Sequence, residues 1–230
     1  MSPFTLVESI ILSNFSFKDS SCVITIILYF SSRDLITLTN SVSTPYRSSG
    51  EFTSSSSRNS KDEPPYLEDI SLKADGETHI YPTDLTFDKG SMNVLLGTTG
   101  AGKTTLMRIM AGLTSPSAGR VHWDDNDVTG VRVQNRDVSF VYQQFINYPT
   151  LSVYENIASP LRLMGARNAE IDHAVKDTAR LMKLHDYLER TPLELSVGQQ
   201  QRCALARAIV KGAGLVLLDE PLAIRNQATE

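Results

Sequence analysis

The chain has 230 residues, 41% of them apolar, and a formal net charge of −4. That is enough apolar material for one large domain, or for a domain with a tail. The acidic balance lacks the basic footprint that phosphate-backbone binding leaves, so nucleic acid is not expected as a partner.

Cys22 and Cys203 lie far apart without metal-ligand spacing, which fits a reducing compartment. The longest apolar stretch, 22–30, falls well short of the roughly 20 residues of a membrane helix. The first residues carry neither the basic start nor the small-residue cleavage site of a signal peptide. Any work at a membrane would therefore be that of a peripheral subunit.

Residues 1–63 are serine-rich, culminating in Ser54-Ser55-Ser56-Ser57, and show no sustained period beyond the run at 22–30. They are expected to form an unstructured extension, with 48–65 as a solvated linker and a docking tail as the alternative. The folded domain is expected over 64–230. Residues 66–73 and 78–87 alternate as strands do, with Asp75-Gly76 as the hairpin turn between them. Asp88-Lys89-Gly90 is the next turn, and the apolar run 92–96 a strand. After a helix from Lys103, a turn at 115–119 leads to a short strand at 120–123 and a polar hairpin at 124–127, which lacks the spacing of a calcium loop. Residues 138–142 form a strand. Helical spacing follows at 153–164, at 170–184 (Ile171, Val175, Ala179, Met182) and at 198–210. Residues 215–218 read as a strand buried in a parallel sheet, which makes this an α/β domain.

Between the strand at 92–96 and the helix stands Gly97-Thr98-Thr99-Gly100-Ala101-Gly102-Lys103-Thr104-Thr105, a G-x-x-x-x-G-K-T phosphate loop in its required strand–turn–helix context. Its glycines let successive N–H groups converge on a diphosphate, and the helix N-terminus adds partial positive charge. Lys103 would reach the β- and γ-phosphates. The Thr104 hydroxyl is a magnesium ligand in this pattern, and Thr105 a donor to the α-phosphate.

Further motifs choose among the many hosts of such a loop. Leu195-Ser196-Val197-Gly198-Gln199, followed by Gln200-Gln201-Arg202, resembles the L-S-G-G-Q signature of ABC transporter ATP-binding subunits. Asp219-Glu220-Pro221 matches that family's Walker B end, and Gln143, with Gln144 adjacent, resembles its Q-loop glutamine. Tyr148-Pro149, Leu151-Ser152-Val153, Glu155-Asn156-Ile157 and Pro160-Leu161 resemble the maltose-type importers of carbohydrates and glycerol-phosphate. The resemblance covers about 66–222. It implies a RecA-like P-loop NTPase fold with an N-terminal antiparallel β region and an inserted helical subdomain at about 144–210.

The resemblance also implies roles. Residues 97–105 with Ser196, Gly198 and Gln199 would bind ATP, the signature residues acting on the nucleotide held by the opposite subunit of a dimer. Thr104, Gln143 and Asp219 would hold Mg2+. Glu220 would be the general base, assisted by Lys103 and Gln143. Partners would be transmembrane permease subunits and a second ATP-binding subunit, at the cytoplasmic face of the cell membrane. The alternatives are a non-transport ABC ATPase and a nucleotide-binding fragment without turnover.

Three departures accompany it. The first signature glycine is Val197. Lys73-Ala74-Asp75-Gly76 has no adenine-stacking aromatic, leaving Tyr81 or His79. After Leu222 the family's D-loop, further strands and switch histidine are replaced by eight residues, so a C-terminally truncated domain is expected.

Overall fold

Asp75 and Gly76 both take positive φ, 52° and 82°, as a two-residue hairpin turn requires if it is to follow the right-handed twist of its strands. They join β2 (Tyr66–Ala74) to β3 (Glu77–Thr86) in an antiparallel pair that sets Leu67 opposite Leu85. The structure is a computed structural model and describes residues 23–29, 65–87, 92–123 and 126–221. The chain divides between Arg136 and Asp137 into two compact units. The expected linker up to residue 64 and the turn at 88–90 lie outside the described residues. Within the expected unstructured extension, Val23–Tyr29 is a strand, β1.

In the first unit β5 (Ala118–Trp123) pairs antiparallel with β2, and β6 (Asn126–Asp127) with β5. Gly119 sits at φ 87°, and a Cβ there would stand 2.3 Å from the Asp69 carbonyl oxygen, so glycine alone allows the two strands to approach at this bulge. β4 (Met92–Gly97) pairs in parallel with β1, from Ile24 opposite Met92 to Tyr29 opposite Gly97. α1 (Lys103–Ala111) buries Leu106, Met107, Ile109 and Met110. It stops at Gly112 (φ 75°), where a Cβ would strike the Arg136 guanidinium at 2.5 Å. Arg136 donates to the carbonyls of Met110 (2.8 Å), Ile109 (3.3 Å), Val131 (2.9 Å), Thr129 (3.0 Å) and Val128. One cation thus satisfies the helix's last acceptors and holds the following loop.

In the second unit β7 (Val138–Val141) and β8 (Leu215–Leu218) pair in parallel. All four residues of β8 are buried, which explains its unbroken apolar run. α4 (Val197–Val210) packs on β7, and α2 (Val153–Leu163) and α3 (Asn168–Leu181) pack with α4 and with each other. Val153, Ile157, Ile171, Val175, Ala179, Cys203 and Ala206 form the core between these helices. The third helix ends three residues before the expected 184, because Lys183 at φ 54° turns the chain; Met182 and Leu184 are buried beyond the helix end. Burial pushes the Cys203 thiol up to about 11, which leaves it an inert core residue.

Asn156 is 0% exposed yet fully used. Its Oδ1 accepts from Tyr148 N–H at 2.8 Å, and its Nδ2 donates to the carbonyls of Tyr148, Leu151 and Ser152 at 3.0–3.1 Å. Asn156→Ala strips partners from four half-buried backbone groups at once. We expect it to cost about 3 kcal/mol, seen as a lower urea midpoint at unchanged m-value. A midpoint equal to that of the parent would show that Asn156 does not hold this loop.

Candidate functional site

The phosphate loop forms as its glycines require. Gly100 and Gly102 both lie at φ 82–83°. A Cβ on Gly102 would meet Ile80 Cδ1 at 2.5 Å and the His79 carbonyl oxygen at 3.0 Å, so the loop leans on β3, whereas at Gly100 nothing stands within 4 Å. Lys103, only 8% exposed, folds back and donates to the carbonyls of Gly97 and Thr98 at 2.8 and 2.7 Å. A buried ammonium inside a glycine-rich concavity at a helix N-terminus, with open space at Gly100, suits an anion of phosphate geometry. Beside it a pocket of about 160 Å³ is lined by His79, Ile80, Tyr81, Leu95 and Lys103 among others, so both candidate adenine partners border the loop. Tyr81 is 72% exposed.

In the second unit, Gln143 and Glu220 meet across 77 residues: Gln143 Nε2 donates to Glu220 Oε2 at 2.5 Å. Glu220 stands at φ 47°, a left-handed conformation that costs a residue with a side chain free energy and that accumulates at functional sites. Asp219 is buried, and its N–H donates to the Val141 carbonyl at 2.9 Å, extending the β7–β8 ladder to the edge of this acidic pair. Among the described residues no group of three or more His, Cys, Asp or Glu gathers as a metal cage. Of the oxygen ligands expected from sequence, the Thr104 hydroxyl belongs to the first unit and the Gln143 amide and the buried Asp219 carboxylate to the second; each is a hard oxygen donor of the kind Mg2+ takes.

Ser196 caps α4 in a reciprocal box: its Oγ accepts from Gln199 N–H at 3.4 Å, and Gln199 Oε1 accepts from Ser196 N–H at 2.8 Å. The helix begins at Val197, one residue before the expected Gly198. Val197 is 64% exposed and Gly198 has nothing within 4 Å of its Cβ position, so both residues of the turn are open on the chain itself.

Ile146 and Tyr148 form one wall of a groove of about 300 Å³, whose lining also includes Phe140 and Tyr142 of the β7 segment, Pro160 and Arg207. Ile146, Tyr148 and Leu151 nearby are large and exposed.

Loop, sheet and helices define a P-loop nucleotide-binding domain of mixed α/β structure. The chain belongs to the ABC transporter family, whose model matches residues 80–223. It is 43% identical over 156 residues to the spermidine/putrescine import ATP-binding protein PotA of Salmonella typhimurium (strain LT2), covering 68% of this chain and 41% of that protein. To the protein of the same name from Escherichia coli (strain K12) it is 43% identical over 148 residues, 64% of this chain and 39% of that protein. The chain thus spans about two fifths of the length of the curated relatives it matches. Their names carry import and ATP binding, as expected, but spermidine and putrescine where the residues after Gln143 led to the maltose and glycerol-phosphate type.

Sequence reasoning missed Arg136, Arg207 and Asn147 as organisers of these segments. Each acts by donating to backbone carbonyls distant in sequence, and no spacing announces such a bond.

Proposed function

We propose that this chain is the ATP-binding and hydrolysing part of an ABC importer subunit. The observation that carries the proposal is the phosphate loop, with Lys103 buried inside it and left-handed glycines at 100 and 102. On binding, Lys103 exchanges the carbonyls of Gly97 and Thr98 for β- and γ-phosphate oxygens, while loop N–H groups and the start of α1 take the remaining charge. Magnesium, when bound, supplies charge neutralisation on the phosphates, and Thr104, Gln143 and Asp219 are the residues that would hold it. Glu220 takes the proton of the attacking water as the oxygen bonds to the γ-phosphorus and ADP leaves. Gln143 holds the Glu220 carboxylate in place. His79 or Tyr81 borders the base. Phosphate release from Mg-ATP, measured with the chain and with the chain extended by the remainder of a relative, tests the proposal. Release by neither would leave the alternative, nucleotide binding without turnover.

The signature turn, with Ser196, Gly198 and Gln199 at a capped helix N-terminus, acts in this reading on the ATP of a second copy or paired subunit. Because Val197 projects into solvent, its effect arises only on closure of that pair. Val197→Gly is expected to raise turnover several-fold by relieving close approach to phosphate, checked by steady-state phosphate release. Unchanged or lower turnover would show that valine is already accommodated.

The groove walled by Ile146 and Tyr148 is read as the docking surface for a transmembrane permease subunit. Among the described residues no helix is long and apolar enough to cross a membrane, so the chain would sit peripherally on the cytoplasmic face. For the solute, the stretch from Tyr148 to Leu161 supports a carbohydrate or glycerol-phosphate-like compound, and the names of the relatives above support a polyamine. Identity within the ATP-handling segment speaks weakly to solute, which the other subunits select. Uptake of labelled glycerol-phosphate, maltose and spermidine by cells with and without the gene separates the classes.

A further inference from the structure

The segment that walls the groove is bound along the helix that follows the signature turn. Arg207 Nη1 donates to the Ile146 carbonyl at 2.6 Å, and the Arg207 guanidinium lies over the Tyr148 ring, 4.2 Å from its centroid. Two helical turns earlier, the Gln200 carbonyl of α4 accepts from Asn147 Nδ2 at 2.9 Å. Residues 200 and 207 are a heptad apart and so share a face of α4. Three consecutive residues, Ile146, Asn147 and Tyr148, are therefore laid along one helix face. The Arg207 Nε is buried without a hydrogen-bond partner, so the guanidinium sits where the Ile146 carbonyl and the Tyr148 ring require, at the expense of its Nε–H.

We propose that Arg207 is a positioning residue which, with Asn147, yokes the groove wall to the signature helix, so that a displacement of the Ser196–Gln199 turn is delivered to Ile146 and Tyr148. A helix transmits axial movement with little compliance, and a hydrogen bond of 2.6 Å is lost within an ångström of stretch. The wall therefore follows α4 as one piece. The use of this yoke rests on the groove and signature roles proposed above, but its existence is a property of the chain that can be tested without nucleotide or permease.

The experiment is amide hydrogen exchange on the full 230-residue chain, read over 145–149 and 197–202. Ser196→Ala removes the helix cap, which should speed exchange at 197–200 about fivefold. The yoke predicts a second acceleration, at least about twofold, at 146–148. In a chain that also carries Arg207→Gln and Asn147→Ala, the helix-end acceleration should persist and the response at 146–148 should vanish. An equal response with both ties removed, or none in the parent, overturns the proposal. Arg207→Lys in the Asn147→Ala background is the second variant. It keeps a cation over Tyr148 and one donor for Ile146, and should return part of the response; failure to do so at unchanged melting temperature counts against the yoke. Binding of a fluorescent ATP analogue is measured separately, and its absence falls on the proposed function instead of the yoke.

Discussion

Glu220→Gln is expected to lower ATP turnover by about a hundred- to ten-thousandfold, the range a general base contributes, while leaving ATP binding intact. The amide has the shape of the carboxylate, and its oxygen can still accept from Gln143 Nε2, so the contact seen at 2.5 Å survives the change. What disappears is the ability to take a proton from water. The left-handed backbone at residue 220 is as costly for glutamine as for glutamate, so the turn is not relaxed by the substitution. The measurement is phosphate release alongside titration of a fluorescent ATP analogue, in protein extended to the length of its relatives. Size-exclusion chromatography with Mg-ATP should show a stabilised dimer, since bound ATP is no longer consumed. Turnover near that of the parent would remove Glu220 from catalysis and send the search for a base elsewhere along β8.

Lys103→Ala is expected to weaken ATP binding by about 1.5–3 kcal/mol, roughly ten- to a hundredfold, the value of a charge-assisted hydrogen bond in a desolvated place. Lys103 is the first residue of α1, and alanine is favourable in helices, so the helix is retained. The carbonyls of Gly97 and Thr98 lose their donor, which loosens the loop when empty. That loss is kept apart from the loss of phosphate contact by comparing melting temperatures without nucleotide. A dissociation constant equal to that of the parent would mean that residues 97–105 do not hold the phosphates.

What could be read before folding was local. Gly97 to Thr105 announces its loop because the backbone there needs residues without a Cβ, and Gly100 and Gly102 do take positive φ. Asp75-Gly76 announces its hairpin for the same reason, and Ser196 its helix start because a hydroxyl there satisfies an orphan N–H. The unbroken apolar run 215–218 declares a strand covered on both faces. Such signals lie within a few residues of the structure they specify. The apolar run at 22–30 was visible too, yet its parallel pairing with the loop strand was not, because a parallel partner lies beyond any turn and leaves no local mark.

The sequence by itself determined the family, the glycine turn before α1 and the buried strand that ends at Asp219-Glu220, each through residue types whose backbone or burial has few uses at that spacing. Only the tertiary structure decided which side chains meet: Gln143 with Glu220 across 77 residues, Arg207 with Ile146 across 61, and Arg136 with the end of α1 across 26. These are contacts to a carboxylate or to backbone carbonyls. Every residue has a carbonyl to offer, so composition cannot say which one an arginine will find. For Arg207 the packing of α4 on β7 selects it, and for Arg136 the stop of α1 at Gly112 does.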